Sequence, residues 1–163
     1  MNRADLIPQK ILTRDLAIQQ VAQWKLMGKK IAFTNGVFDI LHPGHIFSLS
    51  EAAREGDYLV VGLNADASVK RLKGESRPVN NQESRALLLA SLLMVDAVVI
   101  FEEDTPLELI SAILPDVIVK GGDYTVEQVA GGKEVIANGG RVVINPILAG
   151  FSTTSIIARM KEQ

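Results

Sequence analysis

The sequence contains no cysteine, only two histidines and no excess of basic residues. Without cysteine, disulfides and thiolate metal sites are excluded, and the composition suits a cytoplasmic protein. The net charge of −2 and the pI of about 5.7 argue against a nucleic-acid partner, because nucleic-acid-binding surfaces normally show a basic excess.

Long hydrophobic runs are also missing. The first ten residues, "MNRADLIPQK", lack the apolar core of a signal peptide. The most apolar stretch, residues 86–101, is shorter than the ~18 residues a membrane helix needs, and Asp96 interrupts it. We therefore expect a soluble, cytoplasmic chain without a membrane partner. At 163 residues and 47% hydrophobic, it is large enough to bury one core.

Five short apolar runs rich in β-branched residues predict strands. They are continuous rather than alternating, which is typical of strands covered on both faces. The runs are residues 30–34, 58–63, 97–101, 116–120 and 141–145. Helical segments lie between them, with Asn81, Thr105 and Ser152 as expected N-caps. This alternation predicts an α/β fold, a Rossmann-like doubly wound five-stranded parallel sheet with helices on both faces.

Residues 1–28 precede the first of these strands. We interpret them as an N-terminal helical extension, with a helix at about residues 13–27, packed on a domain of residues 29–163. In doubly wound sheets, ligands bind beyond the carboxyl ends of the strands. The first predicted strand ends at Thr34, inside the stretch "FTNGVFDILHPGH" of residues 33–45.

Both histidines of the chain fall in that stretch. Pro43 suits the first position of a helix, which places His42 at the cap and His45 on the same face. The free N–H groups and the dipole of a helix start favour an anion. Gly44 leaves space for a ligand, and Asn35-Gly36 supplies a tight turn. The pattern predicts a phosphate site with two imidazole donors.

Three other interpretations of the histidines are possible. They could be structural, as isolated histidines often are. A zinc site would be short of ligands, since two histidines and no cysteine are available. A Ser-His-Asp site lacks the G-x-S-x-G context that a nucleophile such as Ser48 would need beside Asp39. The phosphate site is favoured because several features converge on one strand end, and no metal ligands are predicted.

The stretch "TNGVFDILHPGH" resembles the H-x-G-H signature of the nucleotidyltransferase superfamily, in its cytidylyltransferase-like branch. The stretch "GFSTTSII", residues 150–157, resembles the second signature of that family. The similarity runs from about Lys29 to the C-terminus. Within the superfamily, "VGLNADASVKRLKG", "RPVN" and "VKGGDY" most resemble heptose 1-phosphate adenylyltransferases, which occur fused to a sugar kinase or as separate chains.

The resemblance implies an enzyme that transfers AMP from ATP, with Mg²⁺, to D-glycero-β-D-manno-heptose 1-phosphate. The products would be pyrophosphate and ADP-heptose for lipopolysaccharide core synthesis. It also implies a homodimer or higher homo-oligomer. Two alternatives stay open. One is transfer of CMP or AMP to another small phosphorylated alcohol or sugar, such as glycerol 3-phosphate. The other is a regulatory module that binds nucleotide without catalysing a reaction.

The same resemblance assigns roles to individual positions. The catalytic group is His42, His45 and Lys73. The nucleotide-binding group is Thr34, Asn35, Gly36, Phe38, Gly44, Lys120, Gly121, Gly122, Ser152, Thr153 and Thr154. The acceptor-binding group is Asp39, Asn64, Asp66, Arg77 and Asp123. Lys120 or Asp123 could contact either the ribose or the acceptor.

The chain departs from the family pattern in one place. Some relatives carry an arginine shortly before the second signature, where this sequence has Leu148 and Ala149. The missing charge is expected from Lys73 or Arg77, in a flexible basic loop, or from Mg²⁺. Arg85 could form a structural ion pair or contact a phosphate.

Two of the acidic residues assigned to the acceptor have a structural alternative. Asp39 could stabilise a turn instead of facing the acceptor sugar, and Asp66 could cap a helix.

Overall fold

A six-stranded parallel sheet forms the centre of the computed structural model, which describes residues 2–162. The strands are β1 Ile11–Leu12, β2 Ile31–Gly36, β3 Tyr58–Asn64, β4 Ala97–Phe101, β5 Val117–Gly121 and β6 Arg141–Asn145. Their spatial order is β1-β4-β3-β2-β5-β6, and all neighbours are parallel. The α/β class and all five predicted strands are confirmed, but the count of five is wrong.

The additional strand, β1, lies at the sheet edge. Ile11 and Leu12 pair with Val98 and Val99 of β4. Two residues are too few to show a periodicity, so hydrophobic pattern alone does not distinguish this strand from a loop. Residues 2–28 therefore supply an edge strand to the sheet. The division of the chain at residue 28 stays a prediction.

Helices cover both faces of the sheet. They are α1 Arg14–Leu26, α2 Pro43–Ala53, α3 Asp66–Lys73, α4 Gln82–Ala90, α5 Leu107–Ile113, α6 Gly132–Ala137 and α7 Thr153–Lys161. Short 3₁₀ turns occupy Arg3–Leu6, Pro8–Lys10 and Val126–Gln128. Helices α1, α5 and α6 pack into one apolar cluster with Phe33, and α2 and α4 pack into a second with Ala32. Adjacent residues of β2 thus point to opposite cores, which explains the continuous apolar strands.

Helix starts follow the predicted caps with one exception. The side chains of Asn81 and Ser152 accept hydrogen bonds from backbone N–H groups of α4 and α7, as expected. Helix α5, however, begins at Leu107, so Pro106 rather than Thr105 occupies the cap. The glycine-interrupted segment after β5 splits into a 3₁₀ turn and α6, because Gly131 adopts a φ of +78°.

The chain reverses its direction of winding between β2 and β5. From β2 the strands progress through β3 to β4, whereas β5 and β6 lie on the other side. The carboxyl ends of β2 and β5 are adjacent, so a crevice opens there. Within residues 2–162, no helix combines the length and apolar character needed to cross a membrane.

Candidate active site

The two histidines form a stacked pair at the start of α2. His42 is the N-cap and Pro43 the first helical residue, as the sequence predicts. The ring centroids lie 3.8 Å apart with an interplanar angle of 23°. Neither buried Nδ1 atom has a hydrogen-bond partner among residues 2–162. In a structural core histidine, a protein group would be expected to bind each of these nitrogens. No group in that range does so.

Aromatic rings bracket the pair. The ring centroids of Phe38 and His45 lie 5.3 Å apart, and those of Phe151 and His42 lie 6.2 Å apart. Burial lowers the pKa of both histidines. It takes the pKa of His45 to about 4, with the positive charge of a protonated His42 adding to the effect. Near pH 7 both rings are therefore neutral, and each retains one N–H that can donate to a phosphate oxygen.

A cleft of about 640 Å³ opens beside the histidines. Most of the predicted site residues line it: Asn35, Gly36, Phe38, Asp39, His42, Gly44, His45, Asn64, Lys73, Arg77, Lys120, Ser152, Thr153 and Thr154. A second cavity of about 260 Å³ shares part of this wall and adds Thr34 and Gly121. Three predicted residues, Asp66, Gly122 and Asp123, line neither cavity.

The second signature lies against the first. The Ser152 hydroxyl accepts a hydrogen bond from the Ser155 N–H at 3.0 Å, which caps α7. Thr153 Oγ1 donates to the carbonyl of Ile40 at 3.3 Å and so ties α7 to the loop before His42. The N-termini of α2 and α7 thus open on one cleft. Each offers free N–H groups and a positive dipole end to an anion.

Asp39 holds the loop of residues 77–80 against this cleft. Its side chain is inaccessible to solvent, and its carboxylate accepts hydrogen bonds from Arg77 Nε at 2.7 Å and from the N–H groups of Val79 and Asn80 at 2.9 Å. Burial acts to raise the pKa of Asp39, but the hydrogen bonds from Asn80 and Val79 and the Arg77 charge outweigh it and lower the pKa. Both carboxylate oxygens are engaged within the protein, which supports the turn interpretation of Asp39.

Arg85 is a buried structural centre. Its guanidinium is fully inaccessible and donates to the carbonyls of Val37 and Asn64 at 2.8 Å, to that of Asn80 at 3.0 Å, and to the Asp66 carboxylate at 2.7 Å. Of the two possibilities open from sequence, the structure shows the ion pair. Arg85 joins the loop after β2, the end of β3 and the 77–80 loop. Its partner Asp66 lines neither cavity.

Several residues of the cleft wall were not singled out from the sequence. Tyr124 and Phe151 stand out because their rings lie beside Lys120 and His42, respectively. Lys120 Nζ lies 5.2 Å from the centroid of the Tyr124 ring, a cation–π contact. Both aromatic residues fall inside the stretches "KGGDY" and "GFSTTSII", so motif membership was the available signal. Asp104, Gln128 and Ile147 had no such signal and are brought to the cleft only by the fold.

A family model described as cytidylyltransferase-like matches residues 33–159. The chain belongs to this family. The bifunctional protein HldE of Hyphomonas neptunium is 55% identical over 159 residues, covering 98% of this chain and 32% of that protein. HldE of Rhodospirillum rubrum is 56% identical over 151 residues, covering 93% and 30%. The chain thus spans about a third of the length of these relatives.

Two solved structures are similar to this chain. A lipopolysaccharide core biosynthesis protein from Thermoplasma volcanium aligns with a TM-score of 0.61 at 31% identity, covering 74% of this chain and 98% of that one. A pantoate–β-alanine ligase from Francisella tularensis, complexed with an ATP ligand and β-alanine, aligns at 0.56 and 17% identity, covering 93% and 76%. The second likeness shows the fold alone. The family membership inferred from the two signatures is confirmed.

Proposed function

We propose that this chain is a cytoplasmic adenylyltransferase that transfers AMP from ATP to D-glycero-β-D-manno-heptose 1-phosphate. The products are pyrophosphate and ADP-heptose for the lipopolysaccharide core. The convergence of two helix N-termini, carrying His42 and His45 on one side and Ser152 to Thr154 on the other, carries the proposal. The similarity to the HldE proteins and to a lipopolysaccharide core biosynthesis protein supports the choice of acceptor.

The proposed reaction is a single displacement at phosphorus. A phosphate oxygen of the sugar 1-phosphate attacks the α-phosphorus of ATP, and the bond from that phosphorus to the α,β-bridging oxygen breaks. Pyrophosphate leaves with the bonding electrons. The acceptor phosphate is already a nucleophile, so no general base is needed and the protein acts by positioning and charge stabilisation.

The two helix starts divide this work. Neutral His42 and His45 donate hydrogen bonds where charge builds on the α-phosphate. The hydroxyls and N–H groups of Ser152 to Thr154 suit the β- and γ-phosphates. Lys73, at the last turn of α3, lines the same cleft and can approach the triphosphate.

Mg²⁺ fits this site as an ion carried by ATP. Residues 2–162 contain no group of three or more histidine, cysteine, aspartate or glutamate side chains that could hold a metal ion. Mg²⁺ commonly binds through substrate phosphates and water with only one or two protein carboxylates. When bound in this way, Mg²⁺ would neutralise part of the phosphate charge. This neutralisation would matter more in this chain, because it lacks the arginine that some relatives carry before the second signature.

A pyrophosphate-release assay tests the proposal. We expect release only when ATP and D-glycero-β-D-manno-heptose 1-phosphate are both present, with ADP-heptose identified by mass spectrometry. Activity with CTP and glycerol 3-phosphate, and none with the proposed pair, would refute the substrate assignment. If ATP binds in calorimetry but no acceptor gives pyrophosphate, the chain is a regulatory nucleotide-binding module.

The same proposal includes a homodimer or higher homo-oligomer. Large apolar side chains on the surface support it, since Leu93 is 95% and Leu26 88% exposed, with Leu87 and Leu88 about half exposed. Sedimentation equilibrium at micromolar concentration should give at least twice the chain mass of 17.7 kDa. A mass of one chain would refute this part of the proposal.

A further inference from the structure

Lys120 presents a positive charge to the cleft without a counter-ion. It lies near the carboxyl end of β5, and its ammonium approaches the Tyr124 ring. The ammonium forms no hydrogen bond or ion pair within residues 2–162. Burial lowers the pKa of Lys120, which reflects the cost of holding a charge there. A partly buried ammonium with no anionic partner is stabilised when an anion binds beside it.

The other basic side chains of the cleft wall differ from Lys120. Arg77 is neutralised by the inaccessible carboxylate of Asp39. Lys73 is exposed at the end of α3. Among the lysines and arginines of residues 2–162 that line the cleft, only Lys120 is both partly buried and without an opposite charge. Of these three cations, Lys120 is therefore the one whose partly buried charge is left for a bound anion to pair.

The position of Lys120 relates it to the second substrate. It lines both the large cleft and the smaller cavity, and His45 also lines both. His42 and Ser152 to Thr154 line the large cleft alone. Lys120 and His45 thus share the wall where the two spaces meet, together with residues 35–38 after β2. The acceptor phosphate must approach within about 3–3.5 Å of the α-phosphorus, and an α-phosphate held by His45 lies at this shared wall.

We propose that Lys120 binds the phosphate of the sugar 1-phosphate and selects a phosphorylated acceptor. The proposal rests on the function proposed above. The family resemblance placed Lys120 in the nucleotide group with the acceptor as an alternative, and the proposal assigns it to the acceptor and specifically to the acceptor phosphate.

Three variants test this proposal: K120M, K120R and the control K133M, whose lysine is exposed on α6. Losing a charge-assisted hydrogen bond should raise the KM for the sugar phosphate about 10- to 100-fold in K120M. The KM for ATP should change by less than about threefold, since other groups hold the triphosphate. K120R should recover part of the loss, and K133M should match the unaltered protein. Thermal unfolding should show K120M at least as stable, because an apolar side chain replaces an unpaired charge.

Two outcomes would overturn the assignment. One is an unchanged KM for the sugar phosphate in K120M, and the other is a rise confined to the KM for ATP. Failure of the unaltered protein to release pyrophosphate would refute the proposed function instead. In that event, calorimetry with inorganic phosphate decides about Lys120 separately. Weaker phosphate binding by K120M than by K133M supports an anion site at Lys120, and equal binding rejects it.

Discussion

His45 is the residue on which the proposed chemistry depends most directly. Replacing it by alanine removes a donor beside the reacting phosphate and should lower kcat by about 10²–10³-fold. The protein should stay folded, because Nδ1 of His45 has no hydrogen-bond partner among residues 2–162 to lose. Single-turnover rates and circular dichroism measure the two effects. His45→Asn retains an N–H donor and should recover part of the rate. Unfolding of the alanine variant would point to a structural histidine.

The same residue makes stability depend on pH. The pKa of His45 falls from its ordinary 6.5 to about 4 in the folded chain. The unfolded chain therefore binds more protons between these values, and stability is fully present above about pH 6.5 and lost as pH falls toward 4. Allowing for the partial exposure of the ring, the loss should be about 1–2 kcal/mol. In urea titrations, the free energy of unfolding should depend less steeply on pH in His45→Asn than in the unaltered protein. Equal slopes would show that His45 does not cause the pH dependence.

At the scale of elements, the first turn of α2 requires a glycine at position 44. A Cβ there would lie 2.9 Å from His42 ring atoms and 3.1 Å from Phe151 Cβ. Gly44→Ala should gain up to about 1 kcal/mol of helix propensity yet displace the His42 ring. We expect kcat/KM for ATP to fall at least about tenfold while the melting temperature changes little. Ser50→Ala, on the same helix, is the control. Full activity of Gly44→Ala would show that the His42 position is not critical.

The 77–80 loop is the second element whose position can be tested. Asp39→Asn leaves the Arg77 guanidinium without its anion and removes one acceptor from the Val79 and Asn80 N–H groups. Breaking a buried ion pair in this way should cost about 2–4 kcal/mol. Hydrogen exchange of the two amides should accelerate more than exchange in β3. Glu51→Gln, which removes the exposed pair with Arg54, should cost less than about 1 kcal/mol. Unchanged amide exchange in Asp39→Asn would show that Asp39 does not hold the 77–80 loop in place.

The elements also show where sequence patterns are informative. The five longer strands are continuous apolar runs buried on both faces, so composition alone reveals them. Strand β1 was not predicted, because two residues are too few to show a hydrophobic periodicity. Its backbone pairs with that of β4, which lies over eighty residues away in the chain. Helix α5 starts one residue later than predicted, since Pro106 supplies the cap rather than the first turn.

For the molecule as a whole, the H-x-G-H and Ser-Thr-Thr segments were both predicted to meet at one site, and both line one cleft. That prediction came from the family resemblance, since the residues alone show only a cap-like pattern at each helix start. Charge pairing was not predictable in this way. Tertiary contacts decide which charged residues form ion pairs. Asp39 pairs with Arg77, which is 38 residues away in the sequence, and Arg85 pairs with Asp66, which is 19 residues away. The sequence could not show that Arg77 is neutralised while Lys120 is left without a partner.

The contact between Thr153 and the Ile40 carbonyl has a consequence for biosynthesis. The proposed triphosphate site combines residues 42–45 with residues 152–154, and over a hundred residues separate them in the chain. At roughly 5–20 residues per second, a ribosome takes about 5–20 s to make that interval. During that time the nascent chain carries its histidines without the hydroxyls that complete the site. Nucleotide binding therefore cannot assist the early folding of this domain and can only stabilise it after α7 has docked.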